Sequence, residues 1–370
     1  MVNRSRTMRG AALGALFSVV LWGCPLAGET EAKPGEPRDG AGRLVAACWN
    51  VQALFDGTED GAEYDEYVAE AGWTDAKYRA RLERVEKAVG EMAEGGPDLL
   101  ALVEVENEGV LKDLAEGALR DFGYRWTAFA SLEGAALGLG VLSRLPIESA
   151  LSHGASRLGE ETPRPTLEVR VSAEGAPLVL FVAHWKSKLG GEAETEPLRR
   201  AAAEALARRV GELEAEEPRT AVLALGDLNE NWDEFVRRGG AEATALLPDD
   251  GDAAAAVLAA DGSAERTVVV LAAERPPSCA SVPQGIPFYT PWPESEYRGS
   301  YAYRGRWETI DHALLARSLF DGAGWDYADF RVAETPGAVD GRGFPIGYDP
   351  RSGAGLSDHL PIVVDLTLVP

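Results

Sequence analysis

Two stretches of the chain follow one plan: an apolar strand ending on a polar residue, a loop, an amphipathic helix, and a second apolar strand ending on another polar residue. In the first, Leu44-Val45-Ala46-Ala47-Cys48-Trp49 ends at Asn50, a helix is predicted over about 75–94, and Leu99-Leu100-Ala101-Leu102-Val103 ends at Glu104. Thr74 is the expected N-cap, and Leu82, Val85, Val89 and Met92 share one helical face. In the second, the strand over 178–183 ends at His184, and a helix is predicted over about 196–214 with Leu198, Ala202, Leu206, Val210 and Leu213 inward. Pro197 is expected in its first turn, where a missing N–H is harmless. Ala221-Val222-Leu223-Ala224-Leu225 then leads into Gly226-Asp227-Leu228-Asn229. Unbroken apolar runs of this kind suit strands buried on both faces, and a duplicated sandwich of two sheets accounts for them economically.

Shorter strands are predicted at 124–130, 139–142, 147–151 and 166–171, and again near 310–315, 329–332 and 360–368. Between them, 237–300 is rich in Ala, Asp, Gly and Pro, which reads as a partly ordered insertion with one possible strand at 267–271. With 45% hydrophobic residues, 370 positions can bury a large core, and residues 43–370 read as one catalytic-sized domain. Arg4, Arg6 and Arg9 precede an uncharged run over 10–22, too short to span a bilayer, so 1–23 reads as an export signal. Leu21-Trp22-Gly23-Cys24 resembles a bacterial lipobox, making Cys24 the expected lipidation site, with 24–42 a flexible tether. A membrane-anchored lipoprotein of a bacterial envelope is thus expected, with a secreted or periplasmic protein as the alternative. Cys48 and Cys279 are read as free thiols. The balance of 36 basic against 60 acidic residues, a formal charge of −24, repels nucleic-acid backbone at long range and disfavours a non-catalytic duplex-binding module. It does not exclude an enzyme acting on phosphates, because bound metal reverses the local field.

Polar residues directly after buried strands stand where a rigid sheet can fix a site. Taken singly, Asp and Asn there are ordinary turn formers, and His153 and His312 read as structural. Taken in order, the segments resemble the endonuclease/exonuclease/phosphatase superfamily, from about Arg43 to the C-terminus. Trp49-Asn50-Val51 is similar to its opening motif, Leu102-Val103-Glu104-Val105 to its metal-binding segment, and Gly140-Val141-Leu142-Ser143-Arg144-Leu145-Pro146-Ile147 to its central hairpin. His184-Trp185-Lys186-Ser187, Gly226-Asp227-Leu228-Asn229, Ile310-Asp311-His312 and Ser357-Asp358-His359-Leu360-Pro361 resemble its remaining motifs. The resemblance implies an α/β four-layer sandwich of two packed mixed sheets flanked by helices, with internal pseudo-duplication, and a metal-dependent phosphoesterase.

Hydrolysis of an anionic phosphodiester needs charge neutralisation and an oriented water, and oxygen ligands select Mg²⁺ or Mn²⁺. The resemblance assigns the metal to Glu104, Asn50 and Asp358. It gives Asp227 the attacking water, Asn229 the orientation of that carboxylate, His184 a non-bridging oxygen, and His359 a pairing with Asp311. Whether Asp227 or the His359–Asp311 pair is the base stays open. Lys186, Arg144 and Tyr303 are candidate substrate contacts, with Lys188 and Arg164 behind them. Where many relatives carry an acid, Gln52 brings no charge, and Asp56 is the nearest substitute. The extended opening pattern looks closest to exported bacterial nuclease-like members, so DNA or RNA is the expected substrate and a monomer the expected state. Tyr297, Tyr301, Tyr303 and Trp307, interleaved with Arg298, Arg304 and Arg306, could stack bases or simply pair across strands. The alternatives are sphingomyelin or inositol phosphates at the same site, and a non-catalytic surface lipoprotein on this scaffold.

Overall fold

The structure, a computed structural model, describes residues 18–23, 42–155, 163–249, 252–272, 274–279 and 282–370. An isolated strand, β1 (Ser18–Gly23), precedes the first repeated unit: β2 (Arg43–Leu54), α1 (Asp75–Met92) and β3 (Leu99–Val105). The connection onward carries α2 (Glu108–Asp113), β4 (Trp126–Ser131), β5 (Gly138–Ser143), β6 (Ile147–His153) and β7 (Thr166–Ala173). The second unit is β8 (Ala176–His184), α3 (Glu192–Glu216) and β9 (Ala221–Asp227). Then come α4 (Glu234–Arg237), β10 (Leu246–Pro248), α5 (Asp252–Ala260), β11 (Val268–Ala272) and β12 (Gly285–Tyr289). The hairpin of β13 (Tyr301–Tyr303) and β14 (Arg306–Glu308) leads into β15 (Asp311–Leu315), β16 (Gly324–Val332) and β17 (Ile362–Val369).

A seven-stranded sheet runs β1-β4-β5-β3-β2-β17-β16, and an eight-stranded sheet runs β10-β11-β12-β15-β9-β8-β7-β6. Each repeated unit supplies a central parallel pair, β2 with β3 and β8 with β9, flanked by antiparallel neighbours. Side chains alternate across these strands. Leu44, Ala46 and Cys48 of β2, with Ala101 and Val103 of β3, meet Leu180, Val182, Leu223 and Leu225 of the other sheet in one core. The opposite faces pack under the helices: Val45, Ala47 and Trp49 under Leu82, Val85 and Val89 of α1, and Val179 and Phe181 under Leu206 and Val210 of α3. Helix, sheet, sheet and helix make the four layers. Truncating a central residue such as the fully buried Leu223 to Ala should cost about 2–5 kcal/mol.

Three local expectations change. α3 begins at Glu192, a turn early, because the acidic Glu192 and Glu194 suit a helix N-terminus and the Thr195 hydroxyl donates to the Gly191 carbonyl at 2.7 Å. Pro197 therefore lies inside the helix and not in its first turn. The described part of 237–300 is built into the second sheet: β10, β11 and β12 run parallel, and Ala254 and Leu258 of α5 pack on Phe235, Leu247, Val270 and Val282. Alanine supplies so little apolar signal per residue that this small core left no pattern in the sequence. Ser18–Gly23, expected inside the export signal, pairs antiparallel with β4 as the edge strand, as its β-branched and aromatic run allows. Cys24 and the expected tether up to residue 41 lie outside the described residues. Cys48 and Cys279 are free thiols, and no described helix is long and apolar enough to cross a membrane.

Candidate active site

Strand alternation delivers most of the site. Asn50, His184, Asp227 and Asp311 each continue the row of their strand that faces the gap between the sheets, where Cys48, Val182, Leu225 and Ala313 lie. Register does the rest: Asp227 stands opposite His184 on β8 and opposite Asp311 on β15. Gly226 is needed for that closeness, since a Cβ there would lie 2.0 Å from the Ala183 carbonyl oxygen. Glu104 breaks the pattern. It falls in the row of Leu100 and Leu102, which faces α1, but a register shift between Val103 and Val105 and a left-handed backbone (φ 68°) turn it towards the gap. Glu104, Gln52, Ala53 and Asn229 are all non-glycine residues at positive φ, a concentration that costs roughly 1–3 kcal/mol each and marks this face as one the surrounding packing holds in place.

The polar groups converge. Asn50 Nδ2 donates to Glu104 Oε1 at 3.2 Å and to Asp227 Oδ2 at 3.0 Å, while its Oδ1 accepts from the Gln52 N–H at 2.9 Å. His184 Nε2 lies 3.6 Å from Asp227 Oδ2 and 3.8 Å from Glu104 Oε1. His359 Nδ1 meets Asp311 Oδ2 at 2.8 Å, leaving Nε2 3.9 Å from Asp227 Oδ2. Asp227 Oδ1 accepts the Asn229 N–H at 3.0 Å, and Asn229 Nδ2 donates to the Trp185 carbonyl at 3.2 Å. Two buried indoles hold the frame: Trp49 donates to the His359 carbonyl and Trp292 to the Asp311 carbonyl, both at 2.9 Å.

Burial and neighbours set the charges. Burial raises the Asp227 carboxyl to about 7, opposed by His359 and reinforced by Asp311 and Glu104. Burial disfavours the charged form of His359 too, but Asp311, Asp227 and Asp358 outweigh it and raise the imidazole to about 10. His184 goes the other way, well below its ordinary value, through burial and the positive charges of Arg164 and His359. The two imidazoles are thus pushed in opposite directions, His359 towards the cation and His184 towards the neutral ring.

Asn50, Glu104, His184, Asp227, Asn229, Asp311 and His359 are thus brought together, and Asp358 joins through its charge on His359. Arg144 is not. It stands past the far end of β5, roughly 17–20 Å along the strand at about 3.3 Å per residue from the site end, tied to Asp98 and to the carbonyls of Phe122 and Gly95. Asp56 turns outward to Asn107 and the Thr58 N–H, and Lys188 is taken by Glu234 at 2.7 Å. Lys186, half-buried two residues after His184, has no ion-pair partner for its ammonium among the described residues. Arg164 donates to the Trp185 carbonyl at 3.1 Å. Tyr303 is 51% exposed on the β13–β14 hairpin, while Tyr301 of the same strand lies against the His359 ring at 4.5 Å. Gln52 faces away: its Oε1 accepts the Tyr348 and Asp358 N–H groups at 2.6 and 3.1 Å.

Sequence reasoning missed Ser300, whose hydroxyl donates to Asp311 Oδ2 at 2.5 Å, and Ser357, whose hydroxyl donates to the Asn50 carbonyl at 2.6 Å. It also missed the buried Arg81, whose place inside the apolar stripe Tyr78, Leu82, Val85 of α1 was the available signal.

The donor set suits a hard divalent cation. Glu104 and Asp227 face one gap with the Asn50 amide bonded to both and His184 Nε2 within 4 Å of each, and the Glu104 side chain keeps 23% exposure for coordinated water. Asp227, Asp311 and His359 place donor atoms within 4.8 Å of one another, but His359 and Asp311 are bonded to each other there, so oxygen ligands on the Glu104 side fit better.

The model of the Endonuclease/Exonuclease/phosphatase family matches residues 45–249, more than half of the chain. The chain belongs to that family. This endonuclease/exonuclease/phosphatase protein resembles truncated Caenorhabditis elegans TDP2, at 16% identity over 88% of this chain and 97% of that one, with a TM-score of 0.51. Humanized D. rerio TDP2 matches at 14% identity over 88% and 99%, with a TM-score of 0.50. At such identities the likeness establishes the fold. No curated protein sequence matches the chain. As a family member with this site, the protein is a metal-dependent phosphoester hydrolase.

Proposed function

We propose that the enzyme is an exported, Mg²⁺- or Mn²⁺-dependent phosphodiesterase that cleaves DNA or RNA. The observation that carries the chemistry is the convergence of buried groups on one gap: His184 Nε2 and His359 Nε2 lie 3.6 and 3.9 Å from Asp227 Oδ2, Asn50 Nδ2 bonds that oxygen at 3.0 Å, and Asp311 holds His359 Nδ1 at 2.8 Å. Asp227, raised to about 7, suits a base that takes a proton from water at neutral pH. His359, held protonated by Asp311, is then no base. Its Nε2–H faces the same space as Asp227 Oδ2 and donates to a phosphoryl oxygen, relieving charge. Neutral His184 donates to a non-bridging oxygen, and Asn229 fixes the Asp227 carboxylate through its backbone N–H. A divalent cation held by Glu104, with Asn50 and Asp358, supplies neutralisation of the phosphoryl charge.

Two features favour a nucleic acid. The exposed Tyr303, with the Arg304 guanidinium 5.0 Å from its ring centre, stands on the hairpin whose Tyr301 packs on His359, so a base could stack beside the reacting phosphate. The Lys186 ammonium, without an ion-pair partner among the described residues, offers a backbone contact in an otherwise acidic protein. Export is proposed from the Arg-led apolar N-terminus, with Cys24 as lipid attachment. Plasmid DNA, RNA, sphingomyelin and inositol phosphates, each assayed with Mg²⁺ and with EDTA, test the substrate. Cleavage of nucleic acid abolished by EDTA is expected. Turnover of a lipid or inositol phosphate without nucleic-acid cleavage would replace the substrate and keep the site.

A further inference from the structure

We infer that Arg81 is a positioning residue that aims the metal-facing side of the site, an inference resting on the reading of Asn50 and Glu104 as metal ligands. The α1 arginine is 1% exposed. Its Nη1 donates to the Ala53 carbonyl at 2.7 Å and to the Tyr67 hydroxyl at 3.3 Å, and its Nη2 donates to the Val51 carbonyl at 2.7 Å and to the Gln52 carbonyl. The Tyr348 ring lies 4.0 Å from the guanidinium carbon. No carboxylate is within ion-pair distance of it among the described residues.

Three consecutive carbonyls gripped by one planar fork leave the end of β2 little freedom. Gln52 and Ala53 both sit at φ 54°, a conformation that two successive non-glycine residues rarely share. That twist aims two N–H groups: Gln52 donates to Asn50 Oδ1 at 2.9 Å, and Ala53 donates to Glu104 Oε2 at 2.8 Å. Each of the two ligand side chains on this side is thus oriented by a donor whose direction Arg81 sets. The same twist sends the Gln52 side chain to the backbone of Tyr348 and Asp358, extending the hold to the loop before His359. Lysine cannot reproduce it, because a point charge with one branching atom does not span three carbonyls as the fork does.

The test uses full-length Arg81→Ala and Arg81→Lys beside Glu104→Gln. The readouts are Mn²⁺ titration of the metal-free protein by electron paramagnetic resonance, amide exchange over residues 50–54, and kcat and KM on a chromogenic phosphodiester. Both Arg81 variants are expected to bind Mn²⁺ roughly ten- to a hundredfold more weakly, as loss of an orienting group around a metal typically does. The Ala53 amide should exchange faster before any metal is added, kcat should fall with KM little changed, and added guanidinium ion should restore Arg81→Ala but not Arg81→Lys. If Arg81→Ala does not fold, Arg81→Lys decides. A folded Arg81 variant with wild-type Mn²⁺ affinity and kcat overturns the positioning role, whatever its melting temperature. Wild-type Mn²⁺ affinity in Glu104→Gln overturns the ligand reading instead, so the two failures are distinguishable.

Discussion

The two repeated units solve one problem with the same residue and opposite electrostatics. In each, the helix sends a fully buried arginine under the strand-end loops: Arg81 from α1, Arg199 from α3. Arg199 bonds Glu196 Oε2 at 2.6 Å, Glu230 Oε2 at 3.3 Å, the Thr195 hydroxyl at 2.9 Å and the Lys186 carbonyl at 3.1 Å. Arg81 bonds carbonyls and a tyrosine hydroxyl only. The second unit is therefore neutralised where it is held, and the charges of Asp227 and His184 are set first by burial, with His359 acting on both, Asp311 on Asp227 and Arg164 on His184. The first keeps a cation with no carboxylate at ion-pair distance among the described residues, and its field reaches Glu104. Carbonyl acceptors fix a backbone and carboxylate acceptors fix side chains, which matches what each loop must present: twisted N–H donors at 52 and 53, and a firmly seated segment after Asp227.

Removing Arg199 should produce the largest effect. Arg199→Met leaves the buried Glu230 without its cation and Glu196 with Arg238 alone, at 3.1 Å, a loss of about 3–5 kcal/mol in urea unfolding. Adding Glu230→Gln should return part of that loss. Strictly additive losses in the double variant would break the contrast, because they would mean that the two groups do not neutralise each other.

Next in size are the reacting groups. Asp227→Asn and His359→Ala should each lower turnover by at least about a hundredfold with circular dichroism unchanged. Glu104→Gln should act chiefly on Mn²⁺ affinity, so that metal holding belongs to the first unit, while the acid–base groups are Asp227 of the second unit and His359 before β17. Normal rates in both Asp227 and His359 variants would dismantle the site assignment.

A smaller effect is read by pH at His359, which lies outside both units. His359 is raised from 6.5 to about 10, so its contribution to stability is fully present below 6.5 and is lost as pH rises through about 10. The melting temperature of the metal-free protein should accordingly fall more steeply between these values than that of His359→Gln. Parallel curves would remove the His359–Asp311 pair as a charged unit.

Much of this was legible because strand periodicity and strand ends are local. Asn50, His184, Asp227 and Asp311 could be placed by counting alternate residues, and the four layers follow from the same count. Glu104 reaches the gap by a route that alternation does not give, since a bulge turns it inward. Arg144 misled because a motif names neighbours in sequence, whereas the length of β5 carries that residue away from the site. Ser300 was invisible: its bond to Asp311 depends on how the hairpin before β15 folds back, and a serine in a polar loop carries no mark of it. The arginines could have been suspected, each being a charge inside an apolar helical stripe, but the acceptors of Arg81 at the end of β2 and those of Arg199 at 186 and 230 lie where no periodicity describes the path.

Gln52 is where the smallest effect should be most telling. Its amide spans two directions, with Oε1 accepting from the Tyr348 and Asp358 N–H groups and Nε2 donating to the Tyr348 carbonyl at 3.3 Å. Gln52→Glu keeps the shape and both accepted bonds, but it loses the donated one and sets a carboxylate against the Tyr348 carbonyl. The loss should be about 1–2 kcal/mol of unfolding free energy, the scale of one hydrogen bond left unmade. Because the side chain points at the backbone of 348 and 358, the added charge should not tighten Mn²⁺ binding. If Gln52→Glu binds Mn²⁺ tenfold tighter or better, as an order-of-magnitude threshold for a gained ligand, position 52 faces the ion, and Arg81 holds the loop for a metal contact that the native glutamine declines.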